Sequence, residues 1–245
     1  MTDIEIISVI DTLDKECEKY KDGGMTFISE LAKKLDNTID KEKEEVFQFF
    51  LREIESREHG NYWTTALYTI KEMQAIELAP SIENIYRHNQ DCEDDDWKYN
   101  VIDTLMFMEY DKPKDIYEDF INYCIEINHK GLYYLLVQYC NIDFDYAIPL
   151  LSSFCADYYY GYDVSSCDTN GYPHGIVFLV NFFFRKNEIN RFRILIELIA
   201  QENKKTAIIM KTLIEKLLNS RMIHPKDKEK AYAAFSILNR MDITS

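Results

Sequence analysis

Five prolines restrict the fold of this chain more than any other feature of its sequence. They are Pro80, Pro113, Pro149, Pro173 and Pro225. Each stands just ahead of a segment whose apolar residues recur with helical spacing, or inside the first turn of that segment. Proline is tolerated there because the backbone N–H that it lacks has no helical partner at a helix start. The prolines therefore predict where helices begin, and the first three are 33 and 36 residues apart.

The apolar residues between these prolines also follow a helical period. Val46, Phe50 and Ile54 recur at steps of four, and Trp63 and Trp97, 34 residues apart, begin the first two of the repeating units. Glycine and proline number only seven and five, which leaves few of the tight turns that an antiparallel β protein needs. The sequence therefore predicts an all-α protein.

A period in the thirties with two helices per unit is typical of an α-solenoid, in which each helix pair buries its apolar face against the next. Over roughly residues 61–203 the chain resembles the HEAT-like repeat family. The resemblance implies a solenoid of antiparallel helix pairs. We predict a single domain over residues 1–245, with an N-terminal helical cap at 1–60, the repeat body at 61–203 and a C-terminal helix pair at 204–245. An irregular helical bundle is the alternative.

Charge narrows the kinds of partner that the chain can bind. The net charge is -15, and residues 1–60, 61–170 and 171–245 carry -7, -14 and +6. A chain this acidic repels the phosphates of nucleic acid and favours a basic protein partner. No apolar run approaches the length of a membrane span, and the N-terminal residues lack the pattern of a signal peptide, so we expect a cytoplasmic protein with no membrane partner. Ordinary solubility is the simpler explanation of the acidic middle.

Cysteine and histidine do not form a recognisable catalytic or metal-binding pattern. The six cysteines show no CxxC spacing, and we interpret them as reduced residues, with Cys124, Cys140 and Cys155 inside apolar helical segments. A folded loop could bring Cys155 together with Cys167, Asp168 and His174 as zinc ligands or as a Cys-His pair, but a polar loop beside a buried cysteine explains the same residues.

Other signatures of chemistry are also missing. The sequence has no dinucleotide fingerprint, no P-loop and no HExxH motif. Asp94, Asp95 and Asp96 could hold calcium, but the order of an EF-hand loop is absent, and a solvated acidic loop is the favoured interpretation. We therefore expect no cofactor, no metal, no catalytic residue and no enzymatic activity.

A tyrosine-rich segment follows the third helix pair. It places Asp157, Tyr158, Tyr159, Tyr160, Tyr162 and Asp163 at the end of a helix and the start of the longest predicted loop. Consecutive tyrosines cannot all face one core, and exposed tyrosine is enriched at binding hot spots. We predict that these six residues contact a partner, although some of the tyrosines could instead pack beneath the loop.

Acidic residues of the preceding helix pair complete the predicted contact surface. They are Asp94, Asp95 and Asp96 with the adjacent Trp97, and Glu118 with Asp119. In a solenoid the second helices of successive pairs line one concave wall, so Glu83, Glu118, Asp119 and Asp157 could form one acidic groove. Such a field would steer a basic protein toward the surface.

Small acidic helical-repeat proteins of this kind resemble the immunity proteins of bacterial polymorphic toxin systems, some of which are HEAT-like. The resemblance implies a non-catalytic protein that neutralises a basic toxin domain, such as a nuclease, by binding it tightly. The alternative is a scaffold or adaptor that captures a peptide or helix in the solenoid groove. An enzyme that uses Cys167, Asp168 and His174 is a third hypothesis.

Overall fold

Helices account for all regular secondary structure in the part of the chain that the structure describes. The computed structural model describes residues 2–20, 23–127, 129, 131–158 and 189–202, together with isolated residues between 204 and 240. Within these residues every element is an α-helix or a short 3-10 helix. The prediction of an all-α protein is confirmed.

The chain separates into two compact units, Met1–Tyr123 and Cys124–Ser245. The boundary falls in the last turn of the seventh helix. The prediction of a single domain over 1–245 therefore stays a prediction, and each unit is described by itself.

The first unit contains seven helices among its described residues. They are α1 Asp3–Cys17, α2 Gly23–Asp36, α3 Asp40–Ser56, α4 Tyr62–Met73, α5 Ala79–His88, α6 Asp95–Phe107 and α7 Lys114–Glu126. A 3-10 helix, Ile76–Leu78, leads into α5. The predicted helical cap at 1–60 thus contains three helices, and the predicted pairs after it are α4 with α5 and α6 with α7.

Two kinds of helix contact build the first unit. The first kind joins consecutive helices: α1 packs on α2, α3 on α4 and α5 on α6. The second kind joins alternate helices: α1 contacts α3, α3 contacts α5, α2 contacts α4 and α4 contacts α6. The core lies between these helices: Phe49, Phe50 and Ile54 of α3 and Leu67 and Ile70 of α4 are at most 1% exposed. The stripe predicted from Val46, Phe50 and Ile54 is buried as expected.

The second unit contains three helices among its described residues. They are α8 Leu132–Tyr139, α9 Phe144–Tyr158 and α10 Ile189–Glu202. α9 packs on both α8 and α10. Arg191 of α10 donates to the carbonyl of Cys140 at 3.3 Å and lies 4.8 Å from the centre of the Phe144 ring, which fixes α10 against the α8–α9 connection.

Two of the three prolines in the described residues lie where the sequence predicted. Pro80 is the second residue of α5, and Pro113 immediately precedes α7. The prediction for Pro149 is wrong, because α9 begins at Phe144 and Pro149 lies inside the helix. The Asp143 carboxylate accepts from the backbone N–H of Tyr146 at 3.1 Å, as an N-cap residue does, so the helix starts ahead of its proline. Pro173 and Pro225 lie outside the described residues.

Candidate functional site

The acidic segment Asp94–Asp96 forms the start of α6. The carboxylate of Asp94 accepts a hydrogen bond from the backbone N–H of Trp97 at 3.0 Å, and Asp95 and Asp96 occupy the first turn. Carboxylates are stabilised there because the unpaired N–H groups of a helix start carry partial positive charge. Asp94 and Asp96 are exposed and Asp95 is half-buried. The segment therefore has a structural role, and it also presents negative charge to solvent.

Trp97, another predicted contact residue, has none of its surface exposed. Its ring stacks on Tyr86 with the centroids 6.0 Å apart, and its Nε1–H donates to the carbonyl of Ile54 at 2.8 Å. The guanidinium of Arg57 lies 4.8 Å from the centre of the Trp97 ring. Trp97 thus anchors the acidic segment to α3 and α5 and does not belong to the exposed surface.

A groove between α5, α6 and α7 lies next to this anchor. Its volume is about 210 Å³. Its apolar and aromatic wall consists of Tyr86, Ile116, Phe120 and Tyr123. Its polar lining consists of Gln90, Lys98 and Asp119. We refer to it as the α5–α6–α7 groove.

Hydrogen bonds and ring contacts connect the groove to the acidic segment. The Tyr123 hydroxyl donates to the Asp95 carboxylate at 2.8 Å, which joins α7 to the first turn of α6. The ammonium of Lys98 lies 5.9 Å from the centre of the Tyr123 ring, and the Phe120 and Tyr123 rings are 6.0 Å apart. Tyr123, which lines the groove together with Asp119, therefore connects the groove to Asp95.

Asp119 is the carboxylate of this groove that remains open to a partner. Its side chain is exposed on α7, and no described residue makes a hydrogen bond or an ion pair with it. Glu118, the adjacent predicted residue, is half-buried.

A second network, which the sequence did not predict, ties α5 to α7. Arg87 donates to both carboxylate oxygens of Asp115 at 3.1 and 3.2 Å and to Glu83 at 2.8 Å. The hydroxyl of Tyr110 donates to the other oxygen of Glu83 at 3.0 Å. Hydrogen bonding to Arg87 lowers the pKa of Asp115, while burial and then the bond to Glu83 raise the pKa of Tyr110.

This network makes α5 less negative than the sequence led us to expect. Glu83 was a predicted member of the acidic groove, but Arg87 compensates its charge. A clue was present in the sequence, because Glu83 and Arg87 have the spacing of a helical ion pair. The pairing with Asp115, 28 residues further on, depends on tertiary packing.

The predicted tyrosine-rich contact segment belongs to the second unit. Tyr158 is the last residue of α9. The side chains of Asp157 and Tyr158, and the residues Tyr159, Tyr160, Tyr162 and Asp163, lie outside the described residues. Their role in binding stays a prediction.

The described residues hold no group of three or more His, Cys, Asp or Glu side chains placed to bind a metal ion. Cys17, Cys124 and Cys140 are buried and Cys92 is half-buried. Burial raises the pKa of Cys140 to about 12, which keeps this thiol protonated and unreactive at neutral pH. The side chain of Cys155, and Cys167, Asp168 and His174, lie outside the described residues.

Comparisons with protein-family models, with curated proteins and with solved structures found no match for this chain. Of the helices that the structure describes, none combines the length and the apolar character that crossing a membrane requires.

Proposed function

We propose that the chain is a non-catalytic binding protein that recognises a basic protein through the acidic surface at the start of α6 and on α7 of its first unit. The observation that carries the proposal is an aromatic groove that is lined by the exposed carboxylate of Asp119 and joined through Tyr123 to Asp95, beside the exposed carboxylates of Asp94 and Asp96. Negative charge next to stiff aromatic side chains suits a basic protein surface, because charge speeds the encounter and rings supply contact area.

We further propose that the helices of the first unit are arranged as the HEAT-like solenoid that the sequence resemblance implies. Contacts between alternate helices support this arrangement, since α1, α3 and α5 form one series and α2, α4 and α6 form the other. Each repeat of a solenoid contacts only the repeats next to it, so contacts are expected between helices that are close in the sequence.

The biological role that fits best is that of an immunity protein acting in the cytoplasm of a toxin-producing bacterium. A basic toxin domain, such as a nuclease, would present the lysines and arginines that an acidic surface attracts. Binding would neutralise the toxin by covering its active site or by blocking the entry of its substrate. The tyrosine-rich segment, Asp157 to Asp163, belongs to the second unit and is proposed as a separate contact segment.

A growth assay tests the immunity role. The product of the gene immediately upstream is expressed in test cells, with and without this chain. We expect growth to stop when the upstream product is expressed alone and to recover when this chain is expressed with it. Growth arrest that persists in the presence of well-folded protein contradicts the proposal. A harmless upstream product that binds this chain would instead favour a scaffold or adaptor.

Matched variants test the surface. Changing Asp94, Asp95 and Asp96 together to asparagine removes three charges and keeps the helix cap at position 94, because asparagine caps as well as aspartate. The control Asp14→Asn, Glu16→Gln and Glu18→Gln removes three exposed carboxylates from the last part of α1 and the residue after it. We expect the first variant to lose protection and the control to retain it. Equal protection by both would reject the α6 surface as the contact site.

A further inference from the structure

The α5–α6–α7 groove has the size and chemistry of a receptor for one cationic side chain. Its volume of about 210 Å³ is suited to one long side chain and is small for a folded element. Its lining combines the buried rings of Tyr86 and Phe120 and the half-buried ring of Tyr123 with the exposed carboxylate of Asp119. Aromatic faces and a carboxylate attract the same kind of group, because both favour positive charge.

The protein itself already places a cation on one ring of this groove. Lys98 lies over Tyr123 at 5.9 Å, and next to the groove Arg57 lies over Trp97, the ring that stacks on Tyr86, at 4.8 Å. The Lys98 ammonium therefore marks Tyr123 as the ring of the groove that a cation can approach. No hydrogen bond or ion pair holds this ammonium among the described residues, so its position can be vacated.

We propose that the groove receives an arginine side chain of the basic partner, with its guanidinium stacked on Tyr123 and paired with Asp119, after Lys98 has swung away. This inference rests on the proposed function, because it names the partner group that the same surface binds. Arginine fits better than lysine, since a planar guanidinium can stack on a ring while its N–H groups pair with a carboxylate. Lys98 acts as an internal competitor for the site.

The test follows NMR shifts of the full-length protein during titration with N-acetyl-arginine amide. The control titrant is N-acetyl-citrulline amide, which has nearly the same shape and no charge. We expect saturable shifts at Lys98 and along residues 119–123 with the arginine compound only. Equal shifts from both compounds, or shifts confined to other parts of the protein, would overturn the proposal.

Two carboxylate variants separate the groove from general electrostatics. Asp119→Asn removes the proposed carboxylate, and Asp111→Asn removes an exposed carboxylate outside the groove. We expect the first to weaken binding of the arginine compound by roughly tenfold and the second by less than about twofold. Similar losses in both would show that only net charge matters.

Lysine variants test the competition directly. Lys98→Met should strengthen binding by about threefold, because it removes both the competing cation and its repulsion. Lys112→Met is the matched control, since Lys112 lies 5.8 Å from the Tyr110 ring and outside the groove. An equal effect of the two lysine variants would contradict the proposal.

If a basic partner binds the wild type while the arginine compound does not enter the groove, this inference fails and the proposed function stands. If the compound binds in the groove and no basic partner exists, the proposed function fails.

Discussion

At the scale of single residues, Trp97 shows how a side chain beside a charged segment can serve the fold. Three different elements contact its ring or its N–H: Ile54 of α3, Arg57 of the following loop and Tyr86 of α5. Because Trp97 follows Asp96 directly, these contacts also fix the position of the acidic residues. The surface that we propose to bind a partner thus depends on a buried aromatic residue.

Trp97 variants should affect stability more than binding. Trp97→Ala removes the ring and should lower the free energy of unfolding by about 3–5 kcal/mol. Trp97→Phe keeps an aromatic ring but loses the bond to Ile54, and should cost about 1–2 kcal/mol. Urea unfolding measures both values. Below the unfolding transition, Trp97→Phe should bind the basic partner as the wild type does. Weaker binding with unchanged stability would instead indicate that the indole contacts the partner.

His59 and Glu53 make part of the stability depend on pH. Glu53 is only 3% exposed, and its carboxylate bonds the His59 ring at 2.7 Å and the His59 backbone N–H at 3.2 Å. The hydrogen bond to Glu53 raises the pKa of His59 above its ordinary value of 6.5. A raised pKa means that the folded state holds the proton more tightly than the unfolded state does.

The stabilisation by His59 should therefore be complete below about pH 6.5 and should disappear as the pH rises through the folded pKa. Urea unfolding at pH 6 and pH 9 compares the wild type with His59→Asn. We expect the variant to be less stable at pH 6 and closer to the wild type at pH 9. In a Glu53→Gln background the pH-dependent part should vanish. A difference in stability between the wild type and His59→Asn that is constant with pH would contradict this assignment.

At this scale the sequence identified the charged contact residues but not the burial of the aromatic residue beside them. Asp94, Asp96 and Asp119 were predicted as contact residues, and all three are exposed, as charged side chains are unless they are paired. The burial of Trp97 was not predicted, because it depends on Ile54 and Tyr86, which are 43 and 11 residues away in the sequence. The spacing of Asp94 and Trp97 did contain the signal of a helix cap, which would have placed Trp97 inside the first turn.

At the scale of helices, α6 is the element on which both the fold and the proposed site depend. It packs against α4 and α5, begins at the acidic segment and contributes Lys98 to the groove. Its N-terminal cap holds the first turn, and through Asp95 that turn is joined to Tyr123 of α7. Loosening the start of α6 should therefore affect the groove as well.

Cap variants separate the structural role of Asp94 from its charge. Asp94→Ala should lower the free energy of unfolding by about 1 kcal/mol, and Asp94→Asn should be nearly neutral because asparagine also caps. Asp96→Asn removes the same charge from the first turn without removing a cap, and should cost about 0.5 kcal/mol or less. Thermal or urea unfolding provides the values. Equal losses for Asp94→Ala and Asp94→Asn would show that charge, and not capping, explains the stability.

The prolines and the apolar period predicted which segments are helical, but not how the helices connect. Pro80 and Pro113 mark helix starts because local sterics alone decide their positions. Pro149 lies inside α9 because the Asp143 cap starts the helix earlier. The ion pair of Arg87 and Asp115 joins two helices through tertiary packing, so a helical period in the sequence could not reveal it.

At the scale of the whole molecule, the uneven distribution of charge is the property that links the fold to the proposed function. The net charge of residues 61–170 is -14, and that of the whole chain is -15. The groove residues of the first unit lie within this acidic segment. A negative field of this kind steers a basic protein and weakens with added salt. Partner binding should therefore depend strongly on ionic strength.

The most direct test of the central claim is a co-precipitation from native cell extract with the full-length chain as bait, at low and at high salt. We predict recovery of a basic protein in equimolar amount at low salt and less at high salt. The variant with asparagine at positions 94, 95 and 96 should fail to recover it, while the α1 control variant should recover it fully. Recovery of no basic protein, or equal recovery by both variants, would contradict the assignment of this acidic surface as the binding site.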